Sequence, residues 1–236
     1  MKVELLHNTP LWVCAKAIRK CWASEDKSDT VTVATGCVGC YALDSDGSCS
    51  ENVQDTCNNY DKFYTTKVAG DKDKELINRV GNKNKHKSTL EHLVYTFDVD
   101  GISRACLQEL ARHRIASYSV KSSRYTLKEL KDATGNLSNF IVGVGNWDID
   151  YNNVKTLERV QEMLQSGLSN DYVKFMLPES YKTSLVMTIN ARSLQNFIEL
   201  RSSKSALWEI QNLAKAMYDV IPEEHKYLFE DFVNIK

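Results

Sequence analysis

The sequence predicts an α+β fold in which an antiparallel-rich sheet is packed with helices. Three observations predict it. Residues 93–99 alternate apolar and polar side chains as a half-buried strand does, with Leu93, Tyr95, Phe97 and Val99 on one face. Several separate segments repeat their apolar residues at helical spacing. Strands and helices interleave with no internal repeat, and three prolines in 236 residues leave no flexible linker. A single catalytic-size domain over residues 1–236 is expected, since a chain with 42% hydrophobic residues can bury a substantial core.

In chain order, Val3 to Leu6 reads as a short strand. Thr9 and Pro10 read as a helix start, a capping hydroxyl followed by a proline that sacrifices no helical hydrogen bond. Leu11, Cys14, Ala15, Ile18 and Cys21 then carry an amphipathic helix to about Trp22. From about 25 to 73 the character changes to ten acidic residues against four lysines, with Cys37, Cys40, Cys49 and Cys57. This reads as a Cys-bearing insertion in which Val31, Val33 and Tyr41 supply short strands. Its four cysteines are compatible with a tetrahedral metal ion, with two loop disulfides or with free thiols. Beyond it, helix is expected around Lys74 to Val80 and Ser103 to Arg112. Strand follows at Phe140 to Val144, helix at Val154 to Leu164, a weakly alternating segment at Ser184 to Ile189, and helix over most of Leu194 to Val220.

Composition excludes some functions. A formal net charge of −1 gives no broad positive face, so neither nucleic acid nor a membrane surface is an expected partner. No run of about 18 apolar residues and no secretory leader is visible, so a cytoplasmic location is expected. Cys14, Cys21 and Cys106 fall in segments that read as buried helix, which suits free thiols.

Chemistry concentrates in Arg112–Tyr125, where four permanent cations, one histidine and four serines occupy fourteen residues. Hydroxyls and backbone N–H groups of a serine-rich turn can surround a phosphate that arginine forks grip bidentately. Arg112 and Arg114 abut apolar positions, and Asn190, Arg192, Asn196 and Arg201 interrupt an equally apolar segment, which argues against a merely solvated basic face. His86, Ser88, Glu91 and His92 form a third set whose spacing does not match a usual zinc site, so no metal is assigned to it.

Arg112-His113-Arg114 followed after seven residues by Ser122 resembles the signature of flavin-dependent thymidylate synthases, the ThyX family. His86-x-Ser88-x-x-Glu91-His92 is similar to the family's upstream motif, and Asn190-x-Arg192 through Asn196, Arg201 and Trp208 is similar to its C-terminal one. The resemblance implies reductive methylation of dUMP to dTMP by a homotetramer. FAD would be the cofactor, with NADPH and 5,10-methylenetetrahydrofolate as co-substrates. It assigns FAD contacts to His86, Ser88, Glu91, Arg112, His113, Arg114, Asn190, Arg192 and Asn196, and dUMP contacts to Glu109, Arg112, Ser122, Ser123, Arg124, Lys174 and Arg201. Arg201 is the implied catalytic residue: a cation beside the uracil ring favours its ionised form and activates carbon 5 without a thiolate adduct.

The chain departs from the usual pattern at Ser119-Val120, Lys174, Ser205, Glu109 and Cys21, where relatives often carry Asn-Glu, Arg, His, Gln and Ser. Two other enzymes stand as alternatives: a relative that leaves a hydroxymethyl group, and a classical thymidylate synthase with a cysteine nucleophile. An RNA-binding module stacking Tyr118 and Tyr125 on bases is a further one.

Overall fold

The computed structural model describes residues 1–37 and 63–233. Their chain divides into two compact units, Thr9–Leu93 and Met1–Asn8 with Val94–Lys236.

In the smaller unit, helix α1 (Leu11–Cys21) buries Leu11, Cys14, Ala15 and Ile18 along one face, as the spacing predicts. Pro10, not Thr9, occupies the N-cap: its φ of −60° and ψ of 144° are extended, and its carbonyl accepts from Val13 N at 3.1 Å. Cys21 is exposed, against the expectation of a buried thiol, because it lies on the last turn beyond the apolar stripe. Strands β2 (Val31–Cys37) and β3 (Phe63–Val68) pair as an antiparallel ribbon, so Val31 and Val33 are in strand as expected. Tyr41, Cys40, Cys49 and Cys57 lie outside the described residues.

Helix α2 (Asp71–Ile77) starts three residues earlier than its apolar spacing indicates and passes into a π turn at Asn78–Lys83. The early start has a cause distant in sequence. The Asp29 carboxylate accepts from Lys72 N at 2.8 Å and Asp73 N at 3.0 Å, satisfying helix-end donors that would otherwise lack partners. Gly70 makes room for it: a Cβ there would come within 2.4 Å of the Asp29 carboxyl. Below this cap, buried Asp73 accepts from Arg19 Nε at 2.5 Å, Ser28 Oγ at 2.6 Å and Thr30 Oγ1 at 2.8 Å.

The larger unit is built on a four-stranded antiparallel sheet ordered β1-β4-β6-β5. Its strands are β1 (Lys2–Asn8), β4 (Val94–Ser103), β5 (Ala116–Val120) and β6 (Lys182–Asn190). Register places Phe97 opposite Leu5 and Met187, and Tyr95 opposite Ile189, so alternate residues fall on one buried face. Gly101, at φ +75°, sits at the irregularity that ends the straight part of β4, a conformation few side chains tolerate.

Strand β5 is a correction. Within Arg112–Tyr125, a segment expected to run into a serine-rich turn, Ala116–Val120 instead pairs along β6, with Tyr118 opposite buried Met187 as its large inward anchor. Phe140–Val144 is the converse case. Leu137–Phe140 forms a 3-10 turn, and Ile141 makes a single bridge to Tyr181. Asp150 takes the N–H groups of Val144 and Gly145, donors that a partner strand would need.

Helices α3 (Arg104–Leu110), α8 (Ala191–Arg201) and α9 (Trp208–Asp219) belong to the same unit as the sheet. The expectation of helix over most of Leu194 to Val220 is met by two helices, separated at Ser202–Leu207. There the Ser203 hydroxyl bonds Ser205 and competes with helical backbone pairing. A satellite core gathers Leu127, Leu130, Leu157, Val160 and Leu164 around α6 (Trp147–Gln165), with α4 (Ser123–Thr126), α5 (Lys128–Lys131) and α7 (Asn170–Val173) as its short neighbours. No helix among the described residues is long and apolar enough to cross a membrane.

Candidate active site

Two strand-to-helix junctions carry the site. At the first, Ser103 ends β4 and caps α3, its Oγ accepting from Cys106 N at 3.0 Å. Buried Glu209 of α9 accepts in turn from Ser103 N at 2.7 Å and from the Ser103 hydroxyl, which fixes where α3 begins. At the second, the Asn190 side chain caps α8 by accepting from Ser193 N at 2.9 Å. Both helices then deliver charged residues from their last turns, Glu109 from α3 and Arg201 from α8.

Those residues meet. Arg201, with 16% of its side chain exposed, donates from Nη1 to Glu109 Oε2 at 2.6 Å and from Nη2 to the Glu109 carbonyl at 3.0 Å. Its Nε donates to His113 Nε2 at 2.9 Å. The His113 ring stands edge-on to Phe197, centroids 5.0 Å apart. Burial, with Arg201 close by, pushes the His113 pKa down to about 4, so the ring stays neutral and keeps the lone pair that accepts from Arg201. Beneath it, the Tyr118 hydroxyl lies 2.7 Å from the His113 carbonyl and 3.0 Å from that of Leu110, and burial pushes this phenol up to about 12. Sequence reasoning missed Tyr118 and Phe197 as supports; the inward position of Tyr118 on a strand was the available signal.

Arg112, His113, Arg114, Asn196 and Arg201 line one open cavity of about 580 Å3, together with Ser193, Ser205 and Leu200. Five of the residues expected at the site are thus brought together, and Glu109 touches Arg201 behind them. Asn190 serves as the helix cap, and Arg192 is exposed on the first turn of α8.

The remaining expected dUMP residues stand apart on the chain. Ser122 and Ser123 line a second cavity, of about 330 Å3, with Arg104, Lys121 and Lys182. Arg124 pairs with Asp171 at 2.8 Å, and the Lys174 ammonium lies over the Phe175 ring, 5.6 Å from its centroid. In the smaller unit, Ser88 and Glu91 lie on the 3-10 turn Lys87–His92, with His86 as its N-cap. Cys14 and Cys106 are buried and their thiols are pushed up to about 12, chiefly by burial, which leaves no thiolate to act as a nucleophile from either position.

Residues 4–225 match the family model described as "Thymidylate synthase complementing protein". Flavin-dependent thymidylate synthases from Campylobacter jejuni (strain RM1221) and Wolinella succinogenes are 49% and 50% identical to the chain. The first aligns over 98% of this chain and 96% of its own length, the second over 97% of each. A solved Helicobacter pylori flavin-dependent thymidylate synthase, complexed with FAD and dUMP, superposes with a TM-score of 0.78 at 45% identity, covering 99% of this chain and all of that one. The chain is thus an enzyme, and it belongs to the flavin-dependent thymidylate synthase family.

Proposed function

We propose that this chain converts dUMP to dTMP by reductive methylation, with 5,10-methylenetetrahydrofolate as carbon donor and NADPH-reduced FAD as hydride source. The observation that carries the reading is the Arg201 guanidinium, fixed at three points on the wall of the cavity that holds the Arg-His-Arg signature. A cation held beside the uracil N3 and O2 region favours the ionised ring, and preorganisation means no reorientation at the moment of reaction. The buried, un-ionised state of Cys14 and Cys106 supports the same route, since neither can add to the ring as a thiolate.

The donor set suits an anionic, planar cofactor: Arg112 and Arg114 offer guanidinium forks, and Ser193 and Asn196 offer hydroxyl and amide groups to one open cavity. Bound FAD supplies the hydride chemistry. Arg112, His113, Arg114 and Asn196 are assigned to it here, with Asn190 and Arg192 at the start of α8. His86, Ser88 and Glu91 are assigned to it by resemblance.

The dUMP set, Glu109, Arg112 and Arg201 with Ser122, Ser123, Arg124 and Lys174, is divided among separate places on one chain. That division supports a site completed by another copy, hence a homotetramer with sites at subunit junctions. We place the enzyme in the cytoplasm, working as one catalytic domain. The test is the absorbance spectrum of the purified protein with and without dUMP, followed by a product assay. Flavin bands that shift on adding dUMP, and dTMP formed with folate and NADPH, are expected. A protein with no flavin and no dTMP overturns the reading.

A further inference from the structure

Besides the place in the dUMP set that the resemblance gives it, Glu109 holds a neighbouring side chain. Its carboxylate holds Arg201 Nη1 at 2.6 Å, and its backbone carbonyl, one of the last in α3 and without a helical donor, holds Nη2 at 3.0 Å. The second carboxylate oxygen faces Arg112 Nη1 at 4.0 Å, so the group lies between two guanidiniums. His113 closes the third corner of Arg201 by accepting from Nε at 2.9 Å. A guanidinium with all three nitrogens engaged has little freedom to turn, and two of the three contacts come from Glu109. The same carboxylate places a negative charge beside a cavity that must accept an anionic nucleotide.

We propose that Glu109 is a positioning residue for Arg201, and that its charge sets alignment of the guanidinium against affinity for dUMP. The proposal rests on the reading of Arg201 as the uracil-facing cation. Removing the side chain leaves the carbonyl and His113 contacts, which permit the guanidinium to turn. Replacing the acid by its amide keeps an oxygen that accepts from Nη1 and removes the negative charge.

The experiment compares Glu109→Ala and Glu109→Gln, each in the wild-type and the Arg201→Lys backgrounds, with retained flavin absorbance as the check on folding. Glu109→Ala lowers kcat by about 10-fold or more through misplacement. Glu109→Gln restores most of that loss and lowers KM for dUMP by about 3-fold or more relative to wild type. In the Arg201→Lys background, where no planar fork remains to be aligned, Glu109→Ala adds less than about 2-fold. Calorimetric titration with dUMP alone reports the affinity change independently of turnover. If wild type makes no dTMP, the functional reading fails while that titration still tests Glu109. The proposal is overturned by wild-type kcat in Glu109→Ala, by a Glu109→Gln variant as impaired as Glu109→Ala, or by losses that multiply fully with Arg201→Lys.

Discussion

His113 Nε2 accepts from Arg201, so its ring proton must sit on Nδ1, and protonating the ring would place two cations in contact. The ordinary histidine pKa is about 6.5. With a folded-state pKa of about 4, the unfolded chain binds more protons between those two values. Stability from this group is therefore complete above about pH 6.5, falls as pH drops toward about 4, and levels off below. Histidine-labelled protein followed by NMR should show one ring titrating near pH 4, absent in His113→Gln; a His113 midpoint at 6 or above would contradict the neutral-acceptor role. Arg201→Ala tests the partner. It should cut dTMP formation by about 100-fold or more, as removal of one preorganised charge does, while FAD absorbance persists. Turnover near wild type would remove Arg201 from the chemistry. The residue types at this site were legible from the Arg-His-Arg signature together with the C-terminal motif that carries Asn196 and Arg201. The partners were not, because Glu109 and His113 meet Arg201 across 92 and 88 positions of sequence, and no local pattern encodes that meeting.

Elements with strong periodicity, such as α1, α6 and the alternating part of β4, could be read directly, because burial of one face fixes their pattern. The elements misread are those whose anchors or hydrogen-bond partners fall outside their own apolar pattern. Strand β5 offers only Tyr118 as an inward anchor, the 140–144 segment loses its donors to Asp150, and α2 owes its start to Asp29. Asp29 and Asp73 make the α1–α2 junction a charged latch inside the smaller unit. Burial alone would raise the Asp73 carboxyl, but hydrogen bonds from Ser28, Thr30 and Arg19 overcome it and hold the group below the ordinary carboxylate range. A depressed folded-state pKa gives stability that is present above the unfolded value of about 3.9 and lost as pH falls through the folded one. Asp73→Asn removes the charge from a buried pair and should destabilise the protein by about 3–5 kcal/mol at neutral pH. Its stability should also fall less steeply than that of wild type as pH drops below about 4. Denaturant melts at a series of pH values measure both effects, and parallel curves for the two proteins would show that the latch is not what acid breaks.

At the scale of the whole molecule, the division of the dUMP residues becomes a testable statement about assembly. Arg201 and Arg112 line one cavity while Ser122 and Ser123 line another, and Arg124 is held on α4 by Asp171. If one nucleotide takes Arg201 from one copy and Ser122 from a neighbour, then two variants impaired at different positions carry complementary halves. Arg201→Ala retains an intact serine cavity, and Ser122→Ala retains an intact arginine cavity. Light scattering should first show four copies per particle for wild type and for each variant. Equal amounts of the two variants are then mixed under conditions that let subunits exchange. Each site draws its arginine half from a copy that is competent with probability one half, and its serine half likewise, so about a quarter of the sites should be restored in a closed symmetric assembly. Ser122→Ala must be assayed at low dUMP, where loss of a binding contact limits turnover and restoration is visible above its own background. A rise toward about a quarter of wild-type activity, appearing with the time course of exchange and absent when the variants are mixed without it, is the expected result. Activity fixed at the average of the two variants would mean that each chain builds its dUMP site from its own residues, and the junction reading would have to be given up.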